Sequence, residues 1–558
     1  MRSCRILGRV FRKRAVAQVS VAAIMLSVVA ACTGSGGHQA APSNSSIPTP
    51  VVTPTPSSST SVASSPPPSP PASSAPASPI ASSPAPTTSA PVGPAGTVVV
   101  GGATPARLSI AVSGALFTSA STVVVASPTD AAAIASAAQQ AEQLGVPLLL
   151  LDHNGAAPKG GVSTADMFAT ELTRLGATSV VALGASAPDV TAAAPDTQIV
   201  ASASAADAVG VGAGVTVLVR AGGGVAADAA AAAATASAHA AGATVIPVRG
   251  ADPRRDPAAI EVLAANPPHS VLAVGTEFGS PATLSSRLAV ATTGTQLPGG
   301  GQVIFPGRRL VALYGHPGTA ALGVLGAQDI AAGIARVKAL AATYAPMSSV
   351  PVVPTFEIIA TVADAAAGPD GNYSGESSVA SLLPWVKQAS AAGLYVVLDL
   401  QCGRADPLAQ AKLYTSLLAM PDVGLAIDPE WALGPGQLPL QQIGSLSTAQ
   451  INGVGEWLER LTASKHLPQK LFVIHQFKLS MIRDESALKT NYDDLAVLIH
   501  MDGQGTPPSK VNTWNAVVRT APKGLPFGWK NFYKEDHPTM TPQQTMVQKP
   551  QPVMISYQ

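Results

Sequence analysis

The stretch VGLAIDPEWAL, residues 423–433, runs from small and branched apolar residues into two carboxylates and an indole: Asp428, Glu430 and Trp431. Such an apolar run reads as a buried strand, and in a strand residues i and i+2 point to the same side. If strand geometry persists through Pro429, Asp428 and Glu430 face one compartment. Two carboxylates that close repel as charges, which raises the pKa of one. A retained proton beside an ionised neighbour is what glycosidic bond cleavage needs, an acid for the leaving oxygen and a charge for the oxocarbenium-like centre. The plain alternative is an Asp/Glu pair capping a loop, with Pro429 bending the chain out of strand geometry.

The elements that would position this pair lie on either side of it. From residue 309 onward apolar runs recur, each ending in polar or aromatic groups: RLVALYGHP, SVPVVPTFE, LYVVLDLQ, VGLAIDPEW, LFVIHQF, LAVLIHMDG, PFGWKNFY and PVMISYQ. Amphipathic stretches such as QDIAAGIARVKALAATYA and TAQINGVGEWLERLTAS separate them. This alternation over 303–558 predicts a (β/α)8 TIM barrel, in which reacting groups sit at the C-terminal strand ends. Those ends carry Tyr314, His316, Glu357, Asp399, Gln401, Asp428, Glu430, Trp431, His475, Gln476, His500, Asp502, Trp529, Lys530 and Tyr557. Asp428 and Glu430 are the first catalytic candidates, with Glu357 or Asp399 as the second carboxylate if Glu430 is the acid. Tyr314, His316, Gln401, Trp431, His475, Gln476, His500, Asp502, Trp529 and Tyr557 are the substrate-binding candidates. All five tryptophans and all eight tyrosines lie after residue 313, as a cleft stacking on sugar rings, or simply a core of larger side chains, would require.

The strand-terminal Asp-x-Glu followed by Trp431 resembles the fourth strand of chitinase-like glycoside hydrolase barrels. The resemblance is confined to that strand and the barrel plan, and it implies a carbohydrate-binding and bond-cleaving mouth. His475, His500 and Asp502 also suggest a metal site. Metal-dependent barrel hydrolases usually open with His-x-His on the first strand, where Tyr314-Gly315-His316 stands here, and no metal or cofactor is expected. Cys402 reads as a buried, inert thiol.

Residues 97–300 are built differently. STVVVAS, PLLLLD and SVVALG alternate with helical stretches, and the succession returns in VTVLVRA, TVIPVRG and SVLAVG. Tandem Rossmann-like α/β repeats of parallel strands buried on both faces are predicted. VVVASPTDAAAIASA, AEQLGVPLLLLD and ATELTRLGATSVVALG resemble the bacterial cell-wall-binding repeat, which implies association with the wall. Asp130 falls on that family's Asp at the helix start, where an N-terminal helix charge is an equally good reading. The Gly-containing loops match neither GxGxxG nor GxxxxGK[ST], so nucleotide binding is not expected.

The first 31 residues pair a cluster of Arg and Lys with the apolar run AVAQVSVAAIMLSVVAA, a signal-peptide pattern. VAAC at its end resembles the bacterial lipobox, which implies lipidation of Cys32 and a tether to the outer leaflet of the plasma membrane. Residues 32–96 are almost purely Ser, Pro, Ala and Thr and cannot bury a core. As an extended linker at about 3 Å per residue they reach on the order of 100 Å or more. A net charge of +1 with 12% charged residues gives no field for nucleic acid. The expected protein is a lipid-anchored bacterial surface protein that binds or hydrolyses a cell-wall or envelope polysaccharide, or one whose barrel binds glycan without turnover.

Overall fold

A computed structural model describes residues 96–152, 161–203 and 207–558. The signal segment, Cys32 and the Ser/Pro-rich linker up to residue 95 lie outside the described residues. No described helix is long and apolar enough to cross a membrane.

Ahead of the barrel stand two four-stranded parallel sheets. In one, Leu148–Leu150, Thr122–Ala126, Ser179–Ala182 and Gln198–Val200 lie side by side in that order. In the other the order is Thr244–Arg249, Val215–Ala221, Ser270–Val274 and Gly96–Val100. The strand that opens the described chain therefore closes the edge of the second sheet, pairing in parallel with Ser270–Val274. Small residues let helices approach closely here. Helix Val225–Ala240 buries Ala229, Ala230, Ala233, Ala234, Ala236 and Ala238, and its Ser237 hydroxyl accepts from the Leu148 amide at 3.0 Å. Asp130 acts as the N-cap of helix Ala131–Leu144, accepting from the Ala133 amide at 2.9 Å, and Gly145 ends that helix in the left-handed conformation.

The C-terminal part is a closed parallel barrel of eight strands: Arg309–Gly315, Val352–Ala363, Tyr395–Leu400, Val423–Ile427, Lys470–His475, Leu495–Met501, Phe527–Asn531 and Met554–Tyr557. The first strand pairs with both the second and the eighth, which completes the ring. Alternation along the strands separates two cores. Leu310, Ala312, Val353, Tyr395, Val397, Ala426, Leu471, Val473, Leu498 and Met554 fill the interior, while their neighbours Val311, Phe356, Val396, Leu425, Phe472, Val497 and Ile555 pack outward with the helices. Gly424 is glycine because a Cβ there would press on the Leu471 carbonyl and the Tyr395 hydroxyl, which fills the interior at that level. Leu297 and Ile304, in the segment entering the barrel, plug its foot.

Helices follow strands one to four, six and seven. Short 3₁₀ turns, Leu479–Met481 and Glu485–Ala487, stand where a helix would follow strand five, and the chain ends directly after strand eight. The two parts meet at the foot, where the buried Arg254 guanidinium contacts Asp252, Asp493 and Asp494 at 2.9, 3.0 and 2.7 Å, and Arg287 contacts Asp493 at 2.6 Å.

Candidate active site in the barrel mouth

The inward set of each strand, continued toward its C-terminal end, becomes polar. Leu310 and Ala312 lead to Tyr314, Val353 and Thr355 to Glu357, Tyr395 and Val397 to Asp399, Gly424 and Ala426 to Asp428. Leu471 and Val473 lead to His475, Leu498 to His500 and Asp502, Gly528 to Lys530, and Met554 to Ser556. His475 and His500 are register partners, as are Tyr314 and Glu357.

Strand four ends at Ile427, and Pro429–Trp431 is a 3₁₀ turn capped by the Asp428 side chain, which accepts from the Glu430 amide at 3.4 Å. The expected i, i+2 strand geometry of Asp428 and Glu430 is thus corrected: proline breaks the strand between them. The turn nevertheless returns the Glu430 carboxyl to the mouth, where it, Asp428 and Asp502 each place an oxygen within 4.8 Å of the others. Capping and crowding coexist at Asp428.

His475 is the hub. Its Nε2 lies 3.1 Å from Glu357 Oε1 and 3.9 Å from Asp399 Oδ1, and its Nδ1 lies 3.2 Å from Asp502 Oδ2. Burial alone would lower its pKa, but the hydrogen bonds with Asp502 and Glu357 raise it well above the ordinary value, so an imidazolium stands between carboxylates. The same contacts act in reverse on the partners: burial opposes ionisation of Glu357 and Asp502, yet His475 holds both below the usual carboxylate range. His500 stacks edge-on against His475, its Nε2 2.7 Å from Ser556 Oγ. Burial pushes His500 down to about 3, leaving it neutral. Its ring also explains Gly528, where any Cβ would collide with it.

On the other side of the mouth burial pushes the acids toward their protonated forms. Burial, then the charge of Asp502, pushes Glu430 up to about 8. Asp428 is raised well above its ordinary value by burial, then by Glu430. Asp399 is raised by burial, and its Oδ2 accepts from the Tyr314 hydroxyl at 2.8 Å. Tyr314 in turn carries the Lys530 ammonium over its ring, 3.4 Å from the centroid. Gln401 accepts from the Ala363 amide at 3.0 Å and stands 3.5 Å from the Tyr314 hydroxyl, steadying it. Cys402 is fully buried and its thiol pKa is raised by burial and by Asp399 and Asp428, which keeps it unreactive.

Not every expected site residue reaches this cluster. Trp529 points outward, fully buried against Trp514, with its indole N–H donating to Asn531 at 2.9 Å. Tyr557 likewise packs outward, its hydroxyl 2.6 Å from that of Tyr344. Neither is a sugar platform. Both sit one residue from the inward position, which Lys530 and Ser556 occupy. Gln476 is also one step past the inward His475 and lies buried beside Glu485. His316 meets Ser377 at 3.1 Å, away from the carboxyl cluster, and burial lowers its pKa. Trp431 follows Glu430 in the half-buried turn. Ser556 was not anticipated; its signal was the Met554/Ser556 alternation in PVMISYQ.

Asp428, Glu430 and Asp502 are the group whose oxygens are spaced to hold a metal ion, with the His475 and Lys530 cations as their neighbours. Chemically the mouth offers a protonated carboxyl, an ionised carboxylate within reach of it, and an imidazolium that fixes the latter. No family model matches the sequence, and no curated protein is significantly similar to it.

Proposed function

We propose that the barrel is a glycoside hydrolase acting on a cell-wall or envelope polysaccharide, with Glu430 as general acid and Asp502 as its ionised partner. The observation that carries this reading is the split of two adjacent carboxyls, Glu430 pushed up to about 8 and Asp502 held down by His475. Their nearest oxygens lie within 4.8 Å. That bound falls short of the roughly 6.5–9.5 Å that leaves room for water in inverting enzymes, which favours retention. In the first step Asp502 attacks the anomeric carbon, the glycosidic C–O bond breaks, and Glu430 gives its proton to the departing oxygen. Glu430, now a carboxylate, takes a proton from water as the water displaces Asp502 and restores both groups. Asp399 and Glu357 act through their neighbours: Asp399 orients Tyr314, and Glu357 holds His475.

The remainder of the chain fits delivery to such a substrate. The region 97–300 associates with the wall through its first half, which carries the repeat resemblance, and lipidation of Cys32 tethers the chain to the outer leaflet of a bacterial membrane through the Ser/Pro-rich linker. Cys32→Ala should shift the protein out of the membrane fraction, and a variant that stays acylated and membrane-bound would rule out Cys32 as the anchor. Release of reducing sugar from isolated envelope glycans, wild type against Glu430→Gln, tests the hydrolase. A second reading, a divalent cation held by Asp428, Glu430 and Asp502, rests on the same oxygen spacing. It requires activity to be lost on chelation and restored by the ion.

A further inference from the structure

At the same C-terminal end of the barrel as the carboxyl cluster lies a polar cleft of about 470 Å³, within the roughly 300–1,000 Å³ of small-molecule sites. Its walls come from loops at the C-terminal ends of three barrel strands: 403–406 after the third, 432–437 and 445–446 after the fourth, and Arg483 after the fifth. The cleft shares its backbone with the Glu430 turn. The Glu430 carbonyl accepts from the Gly444 amide at 2.6 Å, and the Leu433 amide donates to the Gly403 carbonyl at 2.7 Å.

Two guanidinium groups line this cleft. Arg404 lies over the Tyr373 ring at 4.3 Å from its centroid and donates to the Gln437 carbonyl at 2.6 and 3.1 Å. Arg483 donates to the Ser445 carbonyl at 3.0 Å and to the Ser445 hydroxyl, with Gln450 Oε1 at 3.4 Å. Their partners are neutral oxygens, and neither arginine forms an ion pair among the described residues. The acid in the wall, Asp406, is engaged as the N-cap of helix Pro407–Leu413, accepting from Ala409 at 3.2 Å. Carbonyl-anchored guanidiniums keep free N–H groups in fixed directions, an arrangement suited to a planar carboxylate. Two cations against one anion leave a single surplus positive charge. A monoanion neutralises that surplus, whereas a phosphate dianion would leave the cleft net negative.

We propose that this cleft is a subsite for a sugar residue bearing a carboxylate, such as a uronic acid, so that the polysaccharide cut at Glu430 is an acidic one. The inference rests on the glycan reading above and names its substrate class. It is tested by calorimetric binding of hexagalacturonate and of its neutral methyl ester to the full chain carrying Glu430→Gln, which removes turnover. The acid form should bind more tightly than the ester. Adding Arg404→Gln and Arg483→Gln together should weaken acid binding by on the order of tenfold or more and leave ester binding unchanged. Arg483→Lys in place of Arg483→Gln should restore part of the preference, and an unchanged melting temperature shows that the fold persists. Equal affinity for acid and ester, no binding of the acid, or an undiminished preference in the double variant each overturns the subsite. Should the wild type fail to release sugar while the preference for the acid holds, the hydrolase falls and the subsite stands.

Discussion

At the foot of the barrel, Arg254 is buried among Asp252, Asp493 and Asp494, each within 3.0 Å, and Arg287 supports Asp493 from the side. At the mouth, Asp428, Glu430 and Asp502 crowd within 4.8 Å of one another, and Glu357, Asp399 and Asp502 each keep a buried oxygen with no hydrogen-bond partner. Both ends bury carboxylates, but the foot pairs them with arginines, whereas the mouth crowds them around one histidine and leaves oxygens without partners. A satisfied cluster fixes two parts of a chain against each other. An unsatisfied one is costly to fold and is retained where ground-state charge does chemistry. Perturbing the two ends should therefore separate stability from activity.

The largest effect is expected at the mouth. Glu430→Gln keeps the shape and removes the proton, so cleavage of glycans with poor leaving groups should fall by roughly 10²–10⁴-fold, the usual share of general acid catalysis. Aryl glycosides with good leaving groups need little acid help and should lose much less. An equal loss on both substrate types would assign Glu430 to positioning instead.

At the foot the expected sign is reversed. Arg254→Met strands Asp494 without its cation, leaves Asp252 only Arg287 at 3.7 Å, and should cost about 3–5 kcal/mol of stability, as for other broken buried pairs. Denaturant unfolding measures this, and the turnover of the folded fraction should match wild type. A loss of turnover with intact stability would mean that the two ends communicate.

How much of this contrast the sequence carries depends on periodicity. The strand runs and their polar ends are local features, and all eight barrel strands fall where they indicate. Inward and outward positions differ by one residue: residue type points to Trp529 and Tyr557, but alternation turns Lys530 and Ser556 inward and packs the two aromatics outward. Period 2, not aromatic character, decides which side chains enter the mouth. Pro429 shows the opposite case. Its break in the strand was foreseeable, but the return of Glu430 to the mouth depends on a 3₁₀ turn and on Gly444, whose missing Cβ admits the carbonyls of Pro429, Glu430 and Ala432. The link between Glu430 and Asp502 spans strands four and six and has no local signature. Nor has the pairing of Gly96–Val100 with Ser270–Val274, which joins residues far apart in the chain. The arginine cleft is built from three loops and was equally hidden.

A smaller effect should appear in stability against pH. Glu430 has a folded pKa raised from 4.5 to about 8, so the folded state binds a proton there that the unfolded chain has released. A raised carboxyl favours unfolding as pH climbs: stability is greatest below 4.5 and declines through the window up to about 8. The Asp428 shift has the same direction and adds to the decline. Asp502, held low by His475, contributes oppositely, with stability lost only as pH falls below its unfolded value of 3.8. The melting temperature of wild type should thus drop between pH 5 and pH 8.5 more steeply than that of Glu430→Gln. Parallel curves would show that Glu430 titrates freely in the folded protein.

The finest distinction lies within the mouth, between Asp428 and Asp502. Burial and then Asp502 dominate the rise at Glu430, whereas Glu430 follows burial as the chief cause at Asp428. Asp428 is itself raised well above its ordinary value by burial and by Glu430, so its charge is the weaker source of repulsion on Glu430. Asp428→Asn should therefore leave the rate near neutrality almost unchanged and shift the basic limb of the pH–activity profile only slightly downward, because the remaining repulsion is removed. Asn keeps an oxygen for the Glu430 amide, so the capping of the Pro429–Trp431 turn survives. Asp502→Asn also removes a charge beside Glu430, yet it deletes the ionised partner and should abolish turnover outright. A large rate loss in Asp428→Asn with the limb unmoved would make Asp428, not Asp502, the partner of the acid. An upward shift would mean that Asp428 hydrogen-bonds the ionised Glu430 rather than opposing it.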